Sequence, residues 1–459
     1  MRAARWLLVA VAVVLAPVVH SQAQVVPTWL NGYREDVARL LHAAMANDFA
    51  WKRLAEFTDL HGARLSGSDN LERAIAWAAE TMKADGLENV HTEPVLVPKW
   101  VRGRESAEIV DPPLHDVAML GLGGTVATPP EGLEAEVLPV NSFEDLQARS
   151  AEAKGRIVLF NVPYTNYSET VTYRVTSARA AAQFGAVAVL VRSVGPIGLR
   201  TAHTGSVQYA PDLPQIPAAS ISLEDTNRIV RLTARGKYVR MRIVTSGHYE
   251  PDAESANVVG EIRGREKPDE IVLLGAHIDS WDVGTGAADD GVGCIVTWEA
   301  LRLMKRLNLH PRRTVRLVLF TNEENGVRGA NAYADRYAAT AANHVFALES
   351  DSGVLSPAML GFSGSAAARA TMAQIGTLLT PLGLGEIGPG GGGADIGPIA
   401  QLGNTPTMAY LGDATRFFVF HHTAADTIER ISPDDVSRAA AAIAGVTWVI
   451  ADMPDRLPH

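Results

Sequence analysis

Apolar positions recur along this chain with different spacings, and the spacing divides it into regions. From residue 32 to 60 they fall at helical intervals, with Leu40, Leu41, Leu54 and Phe57 among them. A second helical stretch, about 71–84, places Ile75, Ala78, Ala79 and Met82 on one face and ends at Gly86. The segment VHTEPVLVPKWVR then alternates, as a strand with one buried face does. Near Pro112 the pattern shortens. From 112 to 249 the runs EAEVLPV, GRIVLFNV, AVAVLVR and YVRMRIVTS are separated by turns and glycines, and SARAAAQFGAVAVLVR is a helix running into a strand. This predicts a small α/β insert. No catalytic constellation is visible in it, and His203 reads as a surface loop residue.

After Ser255 the runs lengthen. ANVVGEIRG, DEIVLLGAHID, RTVRLVLFTNEE, HVFALESDSG and PTMAYLG predict strands, with helices in DDGVGCIVTWEALRLMKRL and NGVRGANAYADRY. IVLLGA and VRLVLF are apolar at every position, as strands covered on both faces should be. The fold class is therefore α/β, with helices on both sides of a central sheet. Ser432 as N-cap, Pro433 at the first helical position and Asp434–Asp435 in the first turn start a final helix ending near Met453. GPGGGGAD, at 388–395, is a loop long enough to contribute to a lid.

The first residues follow another logic. Arg2 and Arg5 precede an apolar run from Leu7 to Val19, followed by Ser21-Gln22-Ala23. A basic start, a short apolar stretch and a small-x-small site make a secretory signal over 1–23, cut after Ala23. The run is shorter than the roughly 20 residues of a comfortable membrane span. The rest divides into 24–111, the insert at 112–249, and 250–459. The chain's 459 residues suit two or three domains, and 47% hydrophobic with 20% charged residues is ordinary for a globular protein. A net charge of −10 argues against nucleic acid or an anionic membrane as partner. The single cysteine, Cys294, excludes an internal disulfide, and its helical context makes it a buried small hydrophobe.

The candidate chemistry lies in the last region. His277, Asp289, Glu324, Asp351 and His422 sit in GAHIDSWDVGTGAADD, FTNEENG, LESDSG and FHHTAADT. Imidazole and carboxylate together suit zinc, and a set of five suits two ions when one carboxylate bridges them. Asp289 is placed to bridge, although either Asp289 or Asp290 could instead cap the helix that follows. Asp279, two residues after His277, is placed to accept the second N–H of a metal-bound imidazole. Glu323 is left free to act as a base. Of His421 and His422, one should be a ligand and the other packing or a support to the ligands. Asp426 orients that ligand or begins a turn.

These phrases, with HGARLSGSDN and SANVVGEIRG, resemble the secreted di-zinc exopeptidases of the carboxypeptidase Q type over essentially the whole mature chain. The resemblance implies a three-layer α/β/α peptidase fold with a mixed central sheet and an inserted protease-associated domain. It implies two Zn²⁺ ions, one on His277 and Asp351 and the other on Glu324 and His422. Asp289 would bridge them, Glu323 would be the general acid/base, and the Asp289–Asp290 bond would be cis. The chain departs from the pattern in GPGGGGADIG, which lacks a histidine. The implied activity is hydrolysis of dipeptides or short peptides near a chain end. An aminopeptidase acting on longer peptides is the alternative enzyme, and a receptor-like binding protein on an inactive scaffold is the alternative of another class. Phe417, Phe418 and the loop Gly388–Gly393 are candidate pocket walls. A homodimer and a cover over the site are the two roles open to the insert.

Overall fold

A computed structural model describes residues 28–113 and 116–458, so the signal over 1–23 lies outside the described residues. Among those residues no helix is long and apolar enough to cross a membrane.

Two sheets organise the chain. The larger has eight strands, in spatial order Glu88–Val101, His248–Ile262, Arg313–Phe320, Lys267–His277, His344–Glu349, Thr407–Leu411, Met359–Ser363 and Ile387–Pro389. Arg313–Phe320, Lys267–His277, His344–Glu349 and Thr407–Leu411 run parallel in the middle; antiparallel pairs flank them on both sides, and the last pair, Met359–Ser363 with Ile387–Pro389, is parallel. The uninterrupted apolar runs of the first three are buried along nearly their whole length because helices cover both faces. On one face lie Arg34–Met45, Phe49–His61, Asp69–Ala84, Val292–Arg306 and Pro433–Asp452. On the other, Ala330 and Tyr333 join Ile396 and Ile399 in a smaller core.

Val292–Arg306 is buried from Val292 to Met304, enclosed between the sheet and Pro433–Asp452, and its two buried charges, Glu299 and Arg302, pair with each other at 2.5 Å. The final helix starts as its sequence predicts: the Ser432 hydroxyl accepts the Asp435 N–H at 3.1 Å. Gly86, at φ +81, follows the helix that ends at Ala84.

The second sheet has seven strands, in order Glu105–Asp111, Arg240–Thr245, Leu133–Val140, Ile157–Phe160, Ala188–Arg192, Ala218–Ile221 and Met119–Gly121. Tyr167–Ala182 contributes to the core on one side and Leu223–Ala234 to that on the other. This sheet takes in Glu105–Asp111, which the local pattern left with the preceding segment. That strand belongs here because it pairs with Arg240–Thr245, a long-range pairing that local alternation does not encode. His203 departs from its sequence reading: it is 1% exposed. Its N–H donates to Ser193 Oγ at 2.8 Å, and its ring meets the Ser193 hydroxyl at 2.6 Å and the Phe418 carbonyl at 3.2 Å.

Candidate metal centre

The parallel strands deliver the candidate ligands to one place. His277 is the last residue of its strand, Glu323 and Glu324 follow Phe320, Asp351 follows Glu349, and His421–His422 follow the short helix Ala414–Phe417. All lie beyond the carboxyl ends of adjacent strands, where open α/β sheets place their sites. Asp289 arrives on the turn before Val292–Arg306. That turn needs Gly284 and Gly286, at φ +69 and +55, where a Cβ would overlap the Asp426 carbonyl and Ser280 respectively.

The five predicted ligand residues come together around Asp289. His277 Nε2 is 3.3 Å from Asp289 Oδ1 and 3.3 Å from Asp351 Oδ1. His422 Nε2 is 3.1 Å from Asp289 Oδ2 and 3.1 Å from Glu324 Oε2. The two oxygens of Asp289 thus face two separate groups, one with His277 and Asp351, the other with Glu324 and His422. His421 also approaches Asp289 Oδ2 at 3.1 Å, its ring stacked on His422 at 3.6 Å, but its Nδ1 has no partner among the described residues. Asp290 is occupied elsewhere. Its carboxylate accepts the His277 N–H and the Gly293 N–H, each at 3.1 Å, so it caps the helix. The Asp289–Asp290 peptide bond is cis.

The charge of this cluster calls for a cation. Asp289, Glu323, Glu324 and Asp351 share a cavity of about 300 Å³ in which, among the described residues, Arg174 is the only lysine or arginine. Burial, with Asp351, Glu324 and Asp279 nearby, drives the Glu323 carboxyl well above its ordinary range. Burial beside Asp289 pushes Glu324 up to about 7. Burial opposes protonation of His422, but Glu324 and Asp289 outweigh it and raise the imidazole to about 9. Without a metal, protons must balance the carboxylates. Divalent ions held by imidazole and carboxylate would do so without them, and the donor set fits such ions.

The surrounding shell differs from expectation at two residues. Asp279 lies at the site, but its carboxylate accepts the Glu323 N–H at 3.0 Å and the Glu324 N–H at 3.3 Å. His277 Nδ1 therefore meets the Asp279 backbone carbonyl, at 3.0 Å, while the carboxylate stands back at 3.8 Å. Asp426 does not hydrogen-bond His422; it accepts the N–H groups of Ala288 and Asp289 at 2.8 and 3.1 Å and so fixes the turn that carries Asp289.

Sequence reasoning missed Arg64, although HGARLSGSDN was singled out. Its buried guanidinium binds the carbonyls of Ile278, Thr285 and Gly286. It also missed Tyr167 and Arg174, which the insert brings to the cavity beside Phe417 and Phe418. No sequence signal marks either, because only the docking of the insert places them there. The loop Gly388–Gly393 does not line this cavity. A larger cavity, about 620 Å³ between Trp29, Tyr33 and Asp452–Arg456, includes none of these residues.

Buried imidazoles and carboxylates at the strand ends of a doubly covered sheet, with a further glutamate beside them, define a metal-dependent hydrolase. Comparison with known proteins narrows this. Residues 257–447 match peptidase family M28, and residues 123–229 match the PA domain. Carboxypeptidase Q of Bos taurus is 45% identical over 414 residues, covering 90% of this chain and 88% of that protein. The chain belongs to peptidase family M28 and is a metallo-exopeptidase. The peptidase M28 precursor from Shewanella amazonensis SB2B shares the architecture at a TM-score of 0.90 and 32% identity, covering 94% of this chain and 99% of that one. A zinc aminopeptidase from Bacillus subtilis, 19% identical with a TM-score of 0.66, shares the fold over 89% of this chain and 96% of its own.

Proposed function

We propose that this chain is a di-zinc exopeptidase that hydrolyses dipeptides or short peptides next to a free C-terminus. The observation that carries the reading is Asp289, whose two oxygens face two separate histidine-carboxylate groups. His277 and Asp351 would hold one ion and Glu324 and His422 the other, with Asp289 facing both groups. His422 is preferred over His421 because it alone meets both Glu324 and Asp289. When bound, the zinc pair supplies Lewis acidity and a water acidified toward a pKa of roughly 7.

The protein's own groups do the rest. Glu323 lines the cavity, and the Asp279 carboxylate anchors its backbone N–H. It takes the proton of the attacking water and returns it to the leaving amine. The Asp279 carbonyl fixes which nitrogen of His277 carries the proton. Phe417, Phe418 and Tyr167 wall the cavity, with the Tyr167 and Phe418 rings stacked at 4.6 Å. The preference for a free C-terminus follows the carboxypeptidase Q relative. The signal pattern at 1–23 supports a mature enzyme that works outside the cytoplasm.

A dipeptide panel with free and blocked termini, run with and without chelator, tests this reading. Cleavage should require the free carboxylate and stop on chelation. Cleavage of C-terminal amides with rejection of N-acetylated peptides would make it an aminopeptidase instead. Chelator-resistant cleavage would remove the metal from the mechanism.

A further inference from the structure

The Glu324–His422 pair is held from outside its own domain. His203–Ser206, in the inserted unit, lies against both ligand-bearing loops. The Thr204 N–H donates to the His422 carbonyl at 2.9 Å. The Ser206 hydroxyl donates to the Glu324 carbonyl at 2.9 Å. His203 Nε2 reaches the carbonyl of Phe418, just ahead of His421–His422, at 3.2 Å.

The His422 side chain makes a contact in return. Its Nδ1 lies 3.2 Å from the Thr204 carbonyl. A neutral imidazole binding a cation through Nε2 carries its proton on Nδ1, and here that proton points at the Thr204 oxygen. Arg174 NH1 donates to the same oxygen at 3.1 Å. A guanidinium cannot accept, so its 3.2 Å approach to His422 Nδ1 is two donors converging on one carbonyl. Arg174 is fixed in turn, donating to the Tyr167 hydroxyl at 2.9 Å, and a Cβ at Gly205 would overlap its guanidinium. The Thr204 hydroxyl donates to the Gly121 carbonyl at 2.8 Å and accepts from Arg102 at 3.2 Å. Arg102 also grips Asp282, in the turn that carries Asp289, at 2.6 and 2.7 Å.

A domain docked only as a cover could make its hydrogen bonds anywhere on the rim. These converge on the loops that carry two ligands of one ion, and on one ligand imidazole itself. We propose that the inserted unit is a working part of the metal centre. The Thr204 carbonyl, clamped by Arg174, sets the tautomer and ring plane of His422, and Arg174 is a positioning residue for the Glu324–His422 ion. This inference rests on the two-ion reading above.

The test measures zinc affinity and stoichiometry by competition with a chromophoric chelator on the full chain, with cobalt substitution to report coordination by absorption. Wild type should hold two ions. Arg174→Met should keep one and bind the other about 10–100-fold more weakly. Its cobalt spectrum should change for that ion alone, and its kcat should return at raised zinc. Arg242→Ala, on the exposed face of the insert's own sheet, should bind both ions as wild type does. Equal affinity of wild type and Arg174→Met for both ions would overturn the proposal, as would equal loss of both. If Arg174→Met does not fold, Ser206→Ala carries the test: about fivefold weaker binding of one ion supports it, and unchanged binding overturns it. Fewer than two ions on wild type would instead overturn the two-ion reading.

Discussion

Replacing Arg64 by Met should destabilise the ligand loop more than any surface change could. Arg64 is 0% exposed, and no carboxylate among the described residues pairs with it. Its donors go to carbonyls: Nε to Ile278 at 2.8 Å, NH1 to Gly62 and Thr285 at 2.8 and 2.6 Å, NH2 to Gly286 at 3.0 Å. Its guanidinium lies 4.4 Å above the Phe57 ring. Ile278, Thr285 and Gly286 all fall between His277 and Asp289, so one side chain holds the loop between two candidate ligands. Methionine fills similar space and donates nothing. Each stranded carbonyl costs about 1–3 kcal/mol, so four set an upper range of about 4–12 kcal/mol. Removing a buried guanidinium recovers part of its desolvation, which leaves a net loss of about 3–5 kcal/mol. Urea unfolding with and without zinc, together with metal content, measures it. Arg64→Lys should fall between, because a compact ammonium lacks the fork that reaches several carbonyls. An Arg64→Met protein within about 1 kcal/mol of wild type, with zinc bound as tightly, would refute the reasoning.

Three further outcomes are expected. Glu323→Gln should lower kcat by about 10²–10⁴-fold with zinc content unchanged, and an unchanged kcat would remove Glu323 from the mechanism. His344 is held neutral by burial and by the Arg316 charge, its pKa lowered from 6.5 to about 4, with its Nε2 2.9 Å from the Tyr333 hydroxyl. The unfolded chain therefore binds the extra proton first, so this contribution is complete above about pH 6.5 and is lost as pH falls toward 4. Its size is on the order of 3 kcal/mol, and unfolding curves of His344→Gln across that window should be flatter than those of wild type. Cys294 is buried, and its thiol is raised well above its ordinary value by burial and by Asp290. It should resist thiol reagents in the native protein and react after denaturation; rapid native labelling would contradict this.

The legible parts of the molecule are those encoded by residues near one another in sequence. IVLLGA and VRLVLF announced the central strands because burial on both faces leaves no polar position. Ser432–Asp435 announced the last helix because a cap is a local device. The residues that gather at the candidate site were legible as a set because strand ends that carry acids or histidines after apolar runs are unusual without a use. What was not legible depends on docking. His203 looks like a loop residue until the insert presses it against Phe418, and Arg174 looks like an ordinary helix arginine until that docking brings it to His422. The side-chain partner of His277 was misjudged for a related reason. H-x-D spacing brings Asp279 near, but the N–H groups of Glu323 and Glu324, from the next strand, claim its carboxylate.

The account stands on Asp289 as a bridge between two ions, and metal stoichiometry tests it most directly. Zinc-saturated wild type should hold two ions per chain, lose all dipeptide hydrolysis when they are chelated, and recover on re-addition. Asp289→Ala should weaken both ions together. An enzyme fully active with one ion, or an Asp289→Ala variant that still holds two tightly, would contradict it.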